Sequence, residues 1–218
     1  MYFMIIGEIS SVNNRLHEKE MLTEILRKIN SKYGDVIASN FTLTVGNEFQ
    51  GILSDGTSVM EIIDWIRISM GKTGLLFGIG IGDIETRISK LSIGVDGPAY
   101  WNAREAIQAV HEDDDYGRTN ILICADENRN LVQMMNETLR LCGYVESRWR
   151  ETQREVVEKS ILLHGHNSSV KQIELAKDMG LTTQALNQRI QSSGYYNYIR
   201  TRKELAQLLQ AEWGDHLR

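Results

Sequence analysis

The chain has 218 residues, enough for one large domain or two small ones, and its formal net charge of −5 argues against a generally basic nucleic-acid-binding surface. No apolar run approaches the roughly 20 residues that cross a bilayer, and the start has neither a basic segment nor a small-residue cleavage site, so we expect neither membrane anchor nor secretion signal. We therefore expect a cytoplasmic protein with two reduced cysteines, Cys124 and Cys142, that have no metal-ligand spacing.

The charge is divided unevenly along the chain. Residues 151–218 carry 9 of the 24 basic and 8 of the 29 acidic residues, a net charge of about +1, whereas the rest of the chain carries about −6. This asymmetry predicts two domains, with boundaries at 1–148 and 149–218.

The first region alternates strand and helix patterns. Apolar spacing predicts, in order, a strand at 2–9, a helix from a cap at Asn14 to Gly34, a hairpin of strands at 36–45 and 49–53, a helix ending at Gly71, a strand at 75–84, a helix at 98–111, a strand at 119–125 and a helix at 128–145. The glycines of the strand at 75–84 alternate, which predicts close backbone packing there. The acidic run at 112–115 is predicted to be a solvated turn.

The first six elements follow the order β-α-β-β-α-β of a ferredoxin-like fold. Right-handed crossovers make the first two strands parallel, so the end of the first strand and the hairpin tip must emerge at the same edge of the sheet. We therefore expect Glu8, Asn47 and Glu48 to be neighbours. Asn-Glu is also ordinary hairpin-turn chemistry, and Glu8 on its own could be a solvated strand end.

Carboxylates gathered at a sheet edge suit phosphoryl transfer, because hard cations held by carboxylates clamp the attacking and leaving oxygens. Glu8 and Glu48 are the predicted ligands of Mg²⁺ or Mn²⁺ with a bound nucleotide. The amide of Asn47 is a weaker ligand than a carboxylate.

Four segments, "IIGEIS", "TLTVGNEFQGIL", "GIGIGDI" and "SIGVDGPAYWNAREA", resemble the SatD family, which is itself similar to the palm domain of nucleotidyl cyclases and GGDEF-type proteins. The resemblance covers about residues 1–145 and continues weakly into the tail. Where the family pattern has an aspartate after the first strand and at the hairpin, this chain has Glu8 and Asn47, so metal catalysis is expected to be weakened or lost. It implies an α/β (α+β) ferredoxin-like, nucleotidyl-cyclase-like palm followed by an all-α segment that resembles a DNA-binding domain.

The resemblance also implies roles for residues of the helix after the last palm strand. In cyclases this helix supplies an asparagine and, four residues on, an arginine that stabilises the transition state; the matching pair here is Tyr100 and Arg104. Arg104 is thus the predicted catalytic residue, and the predicted nucleotide-binding set is Glu8, Asn47, Glu48, Tyr100 and Arg104. Asn102 is offset and is not expected to replace the missing asparagine, and Arg104 taken alone could be an ordinary exposed helix residue.

The tail has the pattern of a helix-turn-helix. Ser169 and Gln172 predict a capping box, Gly180 the turn, and Thr182 or Thr183 the cap of a second helix whose Leu186 and Ile190 face the core. The predicted base contacts are Thr183, Gln184, Asn187, Gln188, Arg189 and Gln191, and the predicted phosphate contacts are Lys171, Arg200, Arg202 and Lys203.

Three hypotheses follow from these patterns. The first is a transcriptional regulator that binds DNA as a homodimer, whose degenerate palm senses a nucleotide or mediates dimerisation and is not an enzyme. The second is an active Mg²⁺- or Mn²⁺-dependent nucleotidyl cyclase or related nucleotidyltransferase. The third is a protein-interaction scaffold in which the tail is a helical bundle with solvated amides.

Overall fold

The computed structural model describes residues 1–10, 15–112 and 119–214. Its five strands are β1 (Tyr2–Ile9), β2 (Ile37–Leu43), β3 (Glu48–Leu53), β4 (Leu75–Gly82) and β5 (Ile121–Ala125). Its helices are α1 (Arg15–Lys32), α2 (Val59–Ser69), α3 (Pro98–Glu112), α4 (Arg129–Ser147), α5 (Glu151–His164), α6 (Gln172–Met179), α7 (Thr183–Ser193) and α8 (Tyr195–Trp213). The predicted cap Asn14 and the part of the predicted acidic turn at 113–115 lie outside the described residues.

The strands form one sheet in the order β2-β3-β1-β4-β5. The first four are antiparallel to their neighbours, and β5 pairs in parallel with β4. The order of those four strands is that of the split βαβ arrangement, so the predicted α+β, ferredoxin-like fold is confirmed. No helix of the described ranges is long and apolar enough to cross a membrane.

Both faces of the sheet are covered, which explains the nearly continuous apolar sequence of β1. Phe3 and Ile5 point into a core shared with α1, α2, α4 and the second half of α8. Met4 and Ile6 point into a smaller core under α3. A strand buried on both faces needs apolar residues at consecutive positions instead of an alternating pattern.

Helix α3 lies directly on the glycines of β4. A Cβ atom built on Gly80 would lie 2.1 Å from the backbone nitrogen of Ala103 and 2.1 Å from the carbonyl oxygen of Ala99. A similar Cβ on Gly78 would lie 2.4 Å from the carbonyl oxygen of Ala103. The alternating glycines therefore set the height of α3 above the sheet, as predicted from the close-packing interpretation.

Each edge strand of the sheet is paired at one residue by an asparagine side chain, and on β2 the backbone of Asn40 is also bound by residues 90–91. Asn136 of α4 donates to the carbonyl oxygen of Ile123 on β5 at 2.9 Å and accepts from its amide at 2.8 Å. Asn30 of α1 makes the same pair of bonds with Phe41 on β2, at 2.9 and 2.8 Å. The carboxamide thus provides the donor and acceptor of a missing neighbouring strand.

Replacing Asn136 with alanine is expected to destabilise the protein by about 1–3 kcal/mol, because the amide and carbonyl of Ile123, a buried residue, lose their partners. Amide hydrogen exchange should show faster exchange at Ile123 and little change on β1. Asn130→Ala, an exposed change on the same helix, is the matched control. Unchanged protection of the Ile123 amide in Asn136→Ala would contradict this role.

The C-terminal helices build a second core. Buried residues of α5, α6 and α7 pack together with the start of α8 and with Cys142 of α4. The second half of α8 instead contributes Leu205, Ala206, Leu209 and Trp213 to the first core. The predicted boundary at 148/149 lies in the connection between α4 and α5, and α8 joins both cores.

The connection between α6 and α7 follows the predicted chemistry in part. Gly180 adopts a left-handed conformation at the end of α6, and the Thr182 hydroxyl accepts from the amide of Ala185 at 3.2 Å. The predicted capping box is wrong: α6 begins at Gln172 with Lys171 at its cap position and no side-chain cap. The reason is that the backbone amide of Ser169 is already held in a turn by the side chain of Asn167.

Candidate functional site

The end of β1 and the hairpin between β2 and β3 meet as the topology predicts. Glu8 and Glu48 are directly opposite each other on neighbouring strands. The side-chain nitrogen of Asn47, Nδ2, donates to Oε1 of Glu8 at 3.0 Å and to the carbonyl oxygen of Ile9 at 2.6 Å. We call the group formed by Glu8, Asn47, Glu48, Tyr100, Arg104 and His111 the rim.

Helix α3 supplies the basic side of the rim. Arg104 donates through both terminal nitrogens to the two carboxylate oxygens of Glu48, each at 2.8 Å. Its Nε donates to the hydroxyl of Tyr100 at 3.1 Å. The hydrogen bond with Glu48 raises the pKa of Arg104 above its ordinary value, outweighing the effect of burial. The five residues of the predicted nucleotide-binding set are therefore brought together.

His111 belongs to the same group, and the sequence interpretation missed it. Its Nε2 lies 2.8 Å from Oε2 of Glu8. The signal was present, because His111 follows Arg104 by two helical turns and so lies on the same face of α3. Each carboxylate of the rim thus has its own nitrogen partner on α3.

The rim fits a divalent cation poorly. Among the described residues, the rim has the carboxylates of Glu8 and Glu48, and their oxygens are engaged by His111, Asn47 and Arg104. Within the described part of the chain, no group of three or more His, Cys, Asp or Glu side chains is placed to hold a metal ion. An ion bound to Glu48 would have to displace Arg104, which holds both oxygens of that carboxylate.

Asn102 has a structural task instead of a place in the rim. It is buried, and its side-chain amide donates to the carbonyl oxygen of Ile81 at 2.8 Å.

The two cysteines, Cys124 and Cys142, are poorly suited to act as nucleophiles. Burial is the main cause that raises the pKa of Cys124 and that of Cys142 to about 11, so both thiols stay protonated near neutral pH.

Helix α7 presents most of the predicted base-contact residues to solvent. Its buried positions, Leu186 and Ile190, face the second core, and the opposite side is exposed or half-buried. That opposite side carries Gln184, Gln188 and Gln191, with Asn187 at its flank. Thr183 is also exposed, but it lies three residues before Leu186 and seven before Ile190 and so on their face of the helix. Arg189 lies to one side and pairs with Glu155 of α5 at 3.3 Å, so its guanidinium is already engaged.

The predicted phosphate contacts do not form one surface. Arg200 is exposed in a depression that it shares with α7, and Lys171 is exposed at the start of α6. Lys203 lines a different depression, together with Glu61 and His166. The prediction that Arg202 contacts a phosphate is corrected, because only 1 % of its side chain is exposed and it cannot reach one. Its guanidinium is bound to the carboxylate of Asp64 at 2.5 and 2.9 Å.

Asp64 is the centre of a buried charged network between α2 and α8. His166 contacts its carboxylate at 2.9 Å, and Arg67 donates to it at 3.1 Å. Arg67 also pairs with Glu146 of α4, which accepts from Tyr198 of α8 at 2.5 Å. Burial raises the pKa of Asp64, but the charge of Arg202, the hydrogen bond from His166 and the charge of Arg67 outweigh it, so the pKa lies well below its usual range.

A family model described as the SatD family matches residues 2–209. No curated protein matches the sequence. The matched segment includes the rim, the buried network and helices α5 to α7.

Proposed function

This chain belongs to the SatD family, and we propose that it is a DNA-binding transcriptional regulator in which α6 and α7 form a helix-turn-helix joined to the α/β region. The α/β region fixes the orientation of the helix-turn-helix through α8. Mg²⁺-dependent chemistry at the rim is not part of the proposal.

The observation that carries the proposal is the outward face of α7. Gln184, Asn187, Gln188 and Gln191 are exposed or half-buried there, and the side chain of Thr182 caps the helix just before them. Carboxamides pair bidentately with the edge of adenine in the major groove. The left-handed Gly180 and the buried Leu175, Ala176 and Leu186 give the compact turn that such a module needs.

A homodimer is part of the proposal because phosphate neutralisation supplies much of the affinity for DNA. The C-terminal region has a net charge of about +1, and two of its arginines, Arg189 and Arg202, are engaged by carboxylates. A second copy doubles the phosphate contacts and reads a second half-site.

The experiment is a fluorescence-anisotropy titration of the full chain with mixed-sequence duplex DNA at low and at moderate salt. We expect binding at low salt that weakens steeply as salt rises. Sedimentation of the same samples should show two copies of the chain per bound duplex. No binding at either salt concentration would refute the proposal.

For the rim, we propose nucleotide sensing or dimerisation in place of catalysis. The alternative of an active cyclase or nucleotidyltransferase stays a prediction. It is favoured by the position of Glu8 directly opposite Glu48, which binds Arg104. Incubation with each nucleoside triphosphate and Mg²⁺ or Mn²⁺ separates the two. A cyclic or linear product that disappears in Glu48→Ala would establish the alternative.

A further inference from the structure

A groove between α7 and α8 is built from hydrogen-bond donors. It has a volume of about 440 Å³, and within the described residues no carboxylate lines it. That lining is unusual for a chain with 29 acidic against 24 basic residues. Besides Tyr195, whose hydroxyl is bound to Ser160, its polar side chains are four carboxamides, one phenol and one guanidinium: Gln172, Asn187, Gln191, Asn197, Tyr196 and Arg200.

The guanidinium of Arg200 is held in place by its own helix. Its Nε donates to the carbonyl oxygen of Tyr196 at 3.2 Å, and its Nη2 donates to Oδ1 of Asn197 at 2.7 Å. Neither bond uses Nη1, and Arg200 forms no ion pair with any carboxylate of the described ranges. An exposed arginine positioned in this way loses little side-chain freedom when it binds an anion.

The phenol of Tyr196 is positioned from the other side of the groove. Its hydroxyl accepts from the amide of Gln172 at 3.2 Å, and its ring packs edge-on against Tyr195 with centroids 5.0 Å apart. A phenol that accepts one bond still has its own proton to donate. The groove therefore offers a charged donor and a neutral donor on neighbouring turns of α8, beside Asn187 and Gln191 of α7.

We propose that this groove holds one phosphate of the DNA backbone, with Arg200 and Tyr196 as its contacts. The inference rests on the proposed function and adds to it the position of one DNA strand. With a phosphate in the groove, the amide face of α7 lies next to that strand and is turned to the base edges. Arginine suits such a phosphate because its donors match the geometry of the phosphate oxygens.

A phosphate contact carries no sequence information, which defines the test. Arg200→Ala is expected to weaken binding of the full chain roughly tenfold on every duplex and to reduce the slope of log K against log salt by about one. Tyr196→Phe, which removes only the hydroxyl, should weaken binding by a smaller factor on the same duplexes. Arg87→Ala, an exposed arginine of the α/β region, is the control with the same change of charge.

The outcomes separate this inference from the proposed function. Arg200→Ala with the wild-type salt slope, in a chain that binds DNA, would overturn the groove assignment and leave the proposed function standing. A wild-type chain that binds no duplex would overturn both. Thermal stabilisation by inorganic phosphate that needs Arg200, combined with unchanged DNA binding in Arg200→Ala, would assign the groove to a free phosphate and overturn the backbone contact.

Discussion

Replacing Arg202 with methionine is expected to lower the free energy of unfolding by about 3–5 kcal/mol. The carboxylate of Asp64 is completely buried and would lose its two bonds from Arg202, the largest favourable charge acting on it. Methionine fills much of the same volume, so the loss is electrostatic and not a cavity effect. Urea denaturation followed by circular dichroism measures it.

The neighbouring residue supplies the control. Lys203 is exposed and has the same charge, so Lys203→Met should change stability by no more than about 0.5 kcal/mol. A difference of less than about 1 kcal/mol between the two variants would show that the Asp64–Arg202 pair is not the connection between α2 and α8 that the geometry indicates.

The acid dependence of stability is a second readout of the same pair. The pKa of Asp64 is depressed in the folded state, so the stabilisation is complete above the unfolded pKa, about 3.9, and is lost as the pH falls through the acid range below it. Arg202→Met removes a main cause of the depression. Its stability should therefore fall less steeply with acid than that of the wild-type chain.

Gly80→Ala is expected to cost about 3 kcal/mol or more, because the added methyl group would collide with the backbone of α3 at Ala99 and Ala103. Backbone atoms cannot rotate away as side chains can, so α3 must move away from the sheet. Thermal denaturation should show a strongly lowered midpoint, or no cooperative transition at all.

Gly180→Ala separates steric collision from backbone strain. Gly180 has a positive φ of 65° but open space around its Cβ position, so alanine there should cost only about 1–2 kcal/mol. Equal losses in the two variants would contradict the close approach of α3 to β4 as the reason for the glycines.

The convergence at the rim could be predicted because it depends on topology. Once the order β-α-β-β-α-β was inferred, handedness placed Glu8 beside the hairpin, and the observed pairing of Glu8 with Glu48 agrees. The partners on α3 were only partly predictable. Which α3 side chain each carboxylate binds depends on how α3 is positioned above β4. Gly78 and Gly80 set that position through tertiary contacts that the sequence pattern does not contain.

The position of Arg202 could have been inferred, and it was not. Along α8 the buried residues Tyr198, Arg202, Leu205 and Leu209 recur at helical spacing, so Arg202 occupies an apolar stripe. A charge in such a stripe predicts a buried partner, because an unpaired buried charge is very costly. The partner itself, Asp64, is 138 residues away and could not be identified from spacing.

The turn before α6 failed as a prediction for a local reason. Ser169 and Gln172 have the spacing of a capping box, but the backbone amide of Ser169 donates to the side chain of Asn167 instead of to that of Gln172. Asparagine side chains can offer the backbone such an alternative hydrogen bond near a helix start. Thr182 has no such competitor and caps α7 as predicted.

Base recognition by α7 is tested by selecting duplexes from a random pool with the wild-type chain and with Gln188→Ala. Gln133→Ala, an exposed glutamine on α4, is the matched control. We predict that the wild-type chain and Gln133→Ala enrich one common sequence, while Gln188→Ala loses about 1–3 kcal/mol of discrimination at one base pair of it. Enrichment of no sequence by the wild-type chain, or of an identical sequence with equal preference by Gln188→Ala, would contradict base recognition by α7.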